Sequence, residues 1–491
     1  MKFLIFTILF LPFINSIEIP LSKTTIIDII LRNRLPKPTI NKEIPQNSSV
    51  TEHWIQQRVN HFDPQNTQTF NQRYFINDEF FQPDGPIIFY LHETPYEQGQ
   101  AKYYLTSGPV HDLANEFNGV IVLPHHRYFD ESVVFEELTI ENLRFLTVNQ
   151  ALEDLAHLIF NLRSSDSRYL NSSVILVGWD YGASLAIWFS QRYPHLVTGI
   201  WASGARLNPQ IGHDEPVHYV ENVMRRGGEE CFARIENGFR QFEEMFANNQ
   251  SNILRRKFNF CFPLPYTHGD FDIEYFYEIM VTVFYAYAQV YDGFYLDIVC
   301  NQLLNVPVEN DWEAIGYLYG LLNIPPPLCY PNSVEYQFDY VQELGNTASS
   351  EYGFAYAFTY FECANFGFFL NSGNGTSIFG SRFTKEFFAH ICNVLFGFTE
   401  DQMTENFELF NTIHGGRRPL VRNAYFTVGE LYAWIDQTIE RDAVHSTSFY
   451  EIVPNRSLHT ELSLSLFSDD FLELKGRIFA AIRRWLGLTT N

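Results

Sequence analysis

The stretch Val174-Ile-Leu-Val-Gly-Trp-Asp-Tyr-Gly-Ala-Ser-Leu-Ala186 decides the fold of this chain. Its four leading apolar residues, three of them β-branched, predict a strand buried on both faces. A Gly-x-x-x-Gly turn follows, and the apolar run from Ser184 to Phe189 predicts a helix. Strand, sharp turn and helix in this order are typical of the elbow that presents a nucleophile above a parallel sheet. Gly178 and Gly182 flank the centre of the turn, so Asp180 occupies the nucleophile position.

Strands and helices alternate on the N-terminal side of this elbow. Gly85–Leu91 and Gly119–Leu123 are predicted strands, and Tyr103–Phe117 between them can form a helix. A capping box at Thr147–Gln150 then opens an apolar helical face that ends before the elbow strand. This alternation predicts a parallel sheet covered by helices on both faces, the α/β-hydrolase fold.

The middle of the chain has a different pattern. From about Pro209 to about Asp401 the alternation stops, and aromatic-rich segments such as Phe271–Val299 predict the helices of an inserted cap. After Pro419 the sheet pattern returns, and a last helix is predicted from Asp469 to Leu486. The expected organisation is a signal peptide (1–16), an N-terminal extension (17–46), a first hydrolase segment (47–208), the helical cap (209–401) and a second hydrolase segment (402–491).

The composition restricts the class of partner. A formal net charge of −24 and a pI near 5.0 argue against nucleic acids and anionic membranes. No Cys-x-x-Cys or His-x-x-x-His pattern occurs, so neither a zinc site nor another metal or cofactor is expected.

Several features predict passage through the secretory pathway. Met1 to Ser16 has an early lysine, an apolar centre and a small-residue end, as in a signal peptide, and no later stretch is apolar enough to span a bilayer. Six cysteines fit an oxidising compartment, although their number alone allows 15 pairings. The protein is therefore expected to be secreted or lysosomal. The glycosylation sequons are Asn47, Asn171, Asn249, Asn374 and Asn455.

Motifs spread along nearly the whole mature chain resemble those of a family of secreted and lysosomal serine exopeptidases. This family includes prolylcarboxypeptidase, dipeptidyl peptidase II and the thymus-specific serine peptidase. The matching stretches are Gln57-Arg-Val-Asn-His-Phe-Asp63, Asn71-Gln-Arg-Tyr74, His126-Arg-Tyr-Phe-Asp-Glu-Ser132, Glu141-Asn-Leu-Arg-Phe-Leu-Thr147, the elbow through Tyr193-Pro-His-Leu196, and Gly429-Glu-Leu431 with Trp434.

The resemblance implies an α/β-hydrolase with a helical cap, proline-type peptides as substrates, and a triad in the order Ser, Asp, His. It also implies an oxyanion hole that uses the backbone of Tyr181. The implied disulfides are Cys231 to Cys300, Cys261 to Cys329 and Cys363 to Cys392.

Two members of the implied triad are replaced. The elbow of the family has Gly-Gly-Ser-Tyr-Gly-Gly, whereas this chain has Gly-Trp-Asp-Tyr-Gly-Ala, which puts Asp180 in place of the serine. The acid of Asn-Gly-x-x-Asp-Pro-Trp is replaced by Tyr432, and His459 remains as the base. In the glycine-rich turn after the early strand Glu93 is kept but three glycines are lost, and Asn365 stands where the family has a carboxylate.

These replacements affect different steps of acyl transfer. A carboxylate at Asp180 repels the developing oxyanion, and the anhydride that it would form collapses back to reactants. Loss of the orienting acid alone costs about four decades of rate on the serine-peptidase template.

Three other residues are candidate substitutes for the missing triad members. Ser184 lies one turn into the helix and is predicted to be a surface or packing serine. Asp436 can approach His459 but is predicted to be a surface aspartate, and Ser203 resembles a structural serine of the family.

The sequence therefore predicts a homologue without peptidase activity that binds a peptide or protein in the cleft between its domains. A homodimer is a further expected partner, and Asp180 with His459 is predicted to form a buried ion pair. A first alternative is an epoxide-hydrolase-like enzyme, since Gly-x-Asp-x-Gly-Ala occurs there with the aspartate as nucleophile and His459 would be the base. Further alternatives are a residual serine-type peptidase that uses non-standard residues, and a binding module that does not use the cleft.

Overall fold

The computed structural model describes residues 49–92, 104–290, 294–322, 329, 332–334, 346–348, 353–373, 377–456 and 469–488. The chain forms two compact units. The sheet unit comprises residues 42–210, 343–367 and 400–491, and the described part of the helical unit lies within 211–342 and 368–399. The predicted signal peptide and N-terminal extension lie outside the described residues.

A single sheet organises the sheet unit. Its strands are β1 Val50–Arg58, β2 Thr69–Asn77, β3 Ile87–Leu91, β4 Val120–Pro124, β5 Val174–Trp179, β6 Gly199–Ser203, β7 Ala424–Gly429 and β8 Phe449–Val453. Their order is β1-β2-β4-β3-β5-β6-β7-β8, with β2 antiparallel to both of its neighbours and the pairs from β4 to β8 parallel.

The helices divide between the two units. In chain order the described α-helices are α1 Pro109–Phe117, α2 Ile140–Leu143, α3 Val148–Ser165, α4 Tyr181–Arg192, α5 Glu215–Arg225, α6 Glu229–Ala247, α7 Ser251–Lys257, α8 Asp270–Val290, α9 Phe294–Asn305, α10 Asp311–Leu322, α11 Gly353–Asn365, α12 Lys385–Phe396, α13 Glu400–His414 and α14 Asp469–Trp485. Helices α1 to α4, α11, α13 and α14 belong to the sheet unit, and the others belong to the helical unit.

The buried strands predicted from the sequence are present with small shifts. All residues of β3, β5 and β6 are buried, as expected for strands covered on both faces. The predicted helix Tyr103–Phe117 is shorter in the structure. Helix α1 begins at Pro109, directly after Gly108, whose φ of 87° is not helical. The antiparallel β1 and β2 were not predicted, since the corresponding stretches served only as family motifs.

The first turn of α3 forms half of the predicted capping box. The side chain of Thr147 accepts a hydrogen bond from the backbone N–H of Gln150 at 3.2 Å. The Gln150 side chain does not complete the box, because it bonds Asn60 and His61 in the loop after β1. Thr147 therefore caps the helix, and the Gln150 side chain connects its first turn to the loop after β1.

The last helix closes the core of the sheet unit as its apolar spacing predicts. Leu474, Ile478 and Ile482 of α14 are buried in the main hydrophobic cluster. Trp485 lies so close to Gly199 that a Cβ there would come within 2.4 Å of its ring. The C-terminal segment therefore belongs to the sheet unit, as the alternation of elements indicates.

The helical unit contains cross-linked, aromatic-rich helices. Disulfides join Cys231 to Cys300 and Cys261 to Cys329, as the resemblance implies. Cys392 of α12 is also disulfide-bonded, as is Cys363 of α11 in the sheet unit, and none of the six cysteines is free. That these helices form an inserted cap with boundaries at 209 and 401 stays a prediction.

No helix in the described ranges is both long and apolar enough to cross a membrane.

A buried ion pair fixes the loops on one side of the sheet. The Arg127 guanidinium donates two hydrogen bonds to Asp154, at 2.7 and 2.8 Å, and others to backbone carbonyls at Arg58, Val59 and Phe145. Burial alone would raise the pKa of the Asp154 carboxyl, but Arg127, helped by His61, holds that pKa below its usual value. Asp154 therefore stays charged in an acidic compartment.

We expect this pair to stabilise the protein fully at pH 5. A carboxyl whose pKa is lowered by folding contributes stability above its unfolded pKa of about 3.9, and this contribution is lost as the pH falls through the folded value. The unfolding free-energy difference between wild type and Asp154→Asn should not shrink between pH 7 and about 4.5, and it should narrow below that. Urea unfolding at several pH values measures it, with the exposed Asp84→Asn as control. A difference that shrinks between pH 7 and 5 would contradict the assignment.

Candidate active site

The elbow lies between β5 and α4, with Asp180 at its tip. Asp180 has φ 47° and ψ −119°, a strained conformation for a residue with a side chain. Its backbone N–H donates to the carbonyl of Ser203 at 2.9 Å, and its own carbonyl accepts from Ser184. The turn is thus anchored to the end of β6 and to the first turn of α4.

Both glycines of the elbow are required by close backbone contacts. A Cβ on Gly182 would lie 2.0 Å from the carbonyl oxygen of Leu91, at the end of β3. A Cβ on Gly178 would lie 2.4 Å from the Gly182 carbonyl group. The Gly-x-Asp-x-Gly pattern therefore has the structural basis that the sequence predicts.

The partner of Asp180 is an arginine that the sequence analysis missed. The Nε of Arg206 donates to Oδ1 of Asp180 at 2.6 Å, and both side chains are at most 5% exposed. Arg206 follows β6 by three residues, so the two parallel strands β5 and β6 deliver the two charges to the same edge of the sheet. The feature of the sequence that could have identified Arg206 is its position in Trp201-Ala-Ser-Gly-Ala-Arg206, just beyond the strand next to the elbow strand.

Tyr432, at the acid position, lies in the same cluster. Its hydroxyl is 3.1 Å from the carbonyl oxygen of Gly204 and 3.4 Å from Oδ1 of Asp180. One hydroxyl hydrogen serves one acceptor at a time, and the shorter contact is to Gly204. The ring of Trp434 lies against the Arg206 guanidinium, with 5.1 Å between the centroid and Cζ. The structure therefore brings two of the three predicted triad positions together around Arg206.

The three candidate substitutes lie where the sequence predicts. Ser184 is buried in α4 and its Oγ donates to the carbonyl of Arg206 at 2.7 Å, so it acts as a packing residue. Ser203 is buried at the end of β6, and Asp436 is exposed.

Tyr181, which follows Asp180, is held by a histidine of the His126–Ser132 motif. Nδ1 of His126 lies 2.8 Å from the carbonyl of Arg127, so that nitrogen carries the hydrogen and Nε2 accepts from the Tyr181 hydroxyl at 3.0 Å. Burial lowers the pKa of His126 to about 4 and raises the pKa of Tyr181, so both groups are neutral. The backbone N–H of Tyr181, predicted to line an oxyanion hole, is a first-turn amide of α4, and the Asp180 side chain caps none of these amides.

Three predicted positions have different outcomes. His459 and Glu93 lie outside the described residues, so the predicted Asp180 to His459 ion pair stays a prediction. Asn365 is buried; its Oδ1 accepts from the N–H of Val148 at 3.4 Å and its Nδ2 faces the Leu146 carbonyl at 3.3 Å. The residue that replaces a family carboxylate therefore fixes the start of α3.

Sheet order, elbow and crossing helices together define an α/β-hydrolase. A family model described as Serine carboxypeptidase S28 matches residues 57–470, and the chain belongs to this family.

Curated relatives are similar over part of their length. The human lysosomal Pro-X carboxypeptidase is 29% identical over 303 residues, which cover 58% of this chain and 60% of that protein. A serine protease of Bipolaris victoriae is 34% identical over 204 residues, covering 39% of this chain and 37% of that protein. The chain thus spans less than two thirds of the length of these relatives.

Solved structures match along most of the chain at low identity. An epoxide hydrolase of Vigna radiata has a TM-score of 0.36 and 12% identity, with 89% of this chain and 98% of that chain covered. A proline iminopeptidase of Mycobacterium smegmatis has a TM-score of 0.37 and 10% identity, with coverages of 88% and 99%. Likeness at this level gives no information about the activity of this chain.

Proposed function

We propose that this protein is a member of the serine carboxypeptidase S28 family without peptidase activity, which binds a peptide or a protein in the predicted cleft. The observation that carries the proposal is the 2.6 Å ion pair between Arg206 and Asp180 at the nucleophile position. Acyl transfer needs a hydroxyl that a base can deprotonate and donors that face the developing oxyanion. A carboxylate held by a guanidinium supplies neither.

Tyr432 supports the same conclusion. An acid at its position would orient the base and stabilise the imidazolium, whereas a phenol hydroxyl carries no charge. Its hydroxyl lies nearest the Gly204 carbonyl, within the cluster of Asp180 and Arg206. The cluster of Asp180, Arg206 and Tyr432 therefore has a structural role.

The proposed location is the secretory pathway, ending in the lysosome or outside the cell. Disulfides form and persist in oxidising compartments. The sequon residues Asn171, Asn249 and Asn455 are exposed, so glycans can be attached there without disturbing the core. Asn47 and Asn374 lie outside the described residues.

We expect no cleavage of a panel of Xaa-Pro peptides at pH 5 or 7 by the wild type or by Asp180→Asn, with human lysosomal Pro-X carboxypeptidase as positive control. A fluorophosphonate probe should leave the wild type unlabelled, because this reagent needs an activated serine. Cleavage by the wild type that is lost in Asp180→Asn would show that Asp180 takes part in catalysis. Cleavage by both proteins would show that another residue is the nucleophile. Either result overturns the proposed inactivity.

Binding is tested separately from cleavage. The same peptides, added to the uncleaving wild type, should raise its melting temperature, because a ligand that binds only the folded state stabilises it. If no peptide does so, the binding module that does not use the cleft becomes the better hypothesis.

The epoxide-hydrolase-like alternative has one observation in its favour. Oδ2 of Asp180 accepts no hydrogen bond from the described residues, so this oxygen is the one that can attack carbon. The ion pair to Oδ1 opposes it, because Arg206 withdraws charge from the same carboxylate. Hydrolysis of styrene oxide to its diol by the wild type would favour this enzyme, and no turnover would favour the binding protein.

A further inference from the structure

Two histidines of the helical unit have ring nitrogens that face each other. His268 lies in the loop before α8 and His390 lies in the middle of α12, and both are half-buried. Nε2 of His390 is 3.4 Å from Nδ1 of His268, whereas the ring centroids are 5.5 Å apart. The two nitrogens therefore lie on the facing edges of the rings. The histidines are 122 residues apart in the sequence, so no spacing pattern could predict the pair.

The separation of the two nitrogens is that of two ligands on one metal ion. It is long for a hydrogen bond, since an N–H donor and its acceptor usually lie about 2.9–3.0 Å apart. Two imidazole nitrogens bound to a tetrahedral zinc ion at about 2.0–2.1 Å lie about 3.3–3.4 Å from each other. Square-planar coordination, which is typical of Cu²⁺, has a smaller angle at the ion and would bring the nitrogens closer together. The spacing therefore favours a tetrahedral ion.

Contacts outside the pair hold both histidines in place. The backbone N–H of His268 donates to Oδ2 of Asp272 at 2.9 Å, and the same oxygen accepts from the N–H of Tyr266 at 2.8 Å. Asp272 is fully buried in the first turn of α8, so the loop that carries His268 is fixed. The ring of His390 stacks on Phe271, with 4.1 Å between the centroids and 7° between the planes. Because the ligands are already ordered, an ion that binds them loses little free energy to ordering.

Negative charge lies near the pair. Asp270 follows His268 by two residues, and Glu386 precedes His390 by one turn of α12. Burial raises the pKa of the Glu274 carboxyl, and the charges of Glu386 and Asp270 raise it further, so these three carboxylates are close enough to interact. Such surroundings attract a cation. Within the described ranges, however, no third histidine, cysteine or carboxylate joins the pair to make a larger group of metal ligands.

We propose that His268 and His390 form a two-histidine binding site for a zinc ion, with water at the other two positions of the tetrahedron. Each ring then carries its hydrogen on the nitrogen that faces away from the ion. The ion joins the loop before α8 to α12, and its binding free energy stabilises the folded helical unit. The water positions distinguish this site from a closed structural site with four protein ligands.

Calorimetric titration of the full chain with zinc at neutral pH tests the site, on protein purified without a histidine tag. We expect one ion per chain. His268→Gln or His390→Gln should raise the dissociation constant more than about tenfold, because loss of an outer-shell partner alone costs about 10–100-fold in metal affinity. The control His445→Gln changes a half-buried histidine of the sheet unit that contacts Thr447, and should leave the constant unchanged. Zinc should raise the melting temperature of the wild type and the control only.

Spectroscopy of the wild type tests the geometry and decides the question if a histidine variant does not fold. Co²⁺ in place of zinc should give the visible absorption of a tetrahedral ion. X-ray absorption of the zinc form should show imidazole nitrogens at about 2.0–2.1 Å. Absence of saturation up to about 1 mM zinc, or a metal shell without imidazole, would overturn the proposal. Equal zinc affinities of the wild type and both folded histidine variants would do the same.

Discussion

Arg206→Met should lower the free energy of unfolding by about 3–5 kcal/mol, since it leaves the Asp180 carboxylate buried without its counter-charge. The two side chains are at most 5% exposed, so water cannot replace the guanidinium. Chemical denaturation of the purified protein measures the loss. Arg168→Met removes an exposed ion pair to Asp166 and should cost less than about 1 kcal/mol.

A double-mutant cycle identifies the origin of the loss. Asp180→Asn keeps the shape and tolerates the positive φ, but it leaves Arg206 as an unpaired buried cation. The double variant Asp180→Asn/Arg206→Met buries no charge and should be more stable than the sum of the two single losses predicts, by about 2–3 kcal/mol. Additive losses would mean that the two residues stabilise the fold independently and that the ion pair is incidental.

Gly182→Ala should be at least as damaging. The new Cβ would overlap the Leu91 carbonyl oxygen at 2.0 Å, and neither backbone segment can move without separating β3 from α4. We expect a loss of more than about 3 kcal/mol, or no soluble protein, because overpacking against a backbone has no flexible side chain to absorb it.

The matched control is Gly476→Ala in the middle of α14, where a Cβ would meet nothing within 4 Å. There alanine should stabilise by up to about 1 kcal/mol through its better helix propensity. Thermal and urea unfolding of the two variants should therefore shift in opposite directions. A Gly182→Ala variant as stable as wild type would mean that α4 and β3 are not packed as described.

The fold was predictable where one local pattern had one structural solution. The run Val174–Val177 followed by the paired glycines allowed only a buried strand and a sharp turn, and both are present. The antiparallel β1 and β2 were harder, because β1 is largely exposed and β2 buries polar residues, so neither strand has a clear apolar period. The order of the sheet depends on contacts between distant segments, which local spacing does not encode.

The position of the candidate site was predictable from the sequence, but one of its residues was not. Motif comparison located Asp180 and Tyr432, and the structure brings them within 3.4 Å of each other. It did not identify Arg206, because a charged partner is defined by proximity across two strands and not by a spacing along the chain. The same limit applies to Asn365, whose replacement of a carboxylate looks like a loss until its contacts with the start of α3 are known.

The pair of Asp180 and Arg206 also determines what an arriving molecule experiences at the elbow. A lone carboxylate would be a monopole and would attract cations over long distances. Joined to a guanidinium at 2.6 Å it becomes a dipole, whose field weakens much faster with distance. For the proposed ligand, recognition at this point of the fold would depend on shape and short-range hydrogen bonding, and long-range steering would come from the net charge of −24.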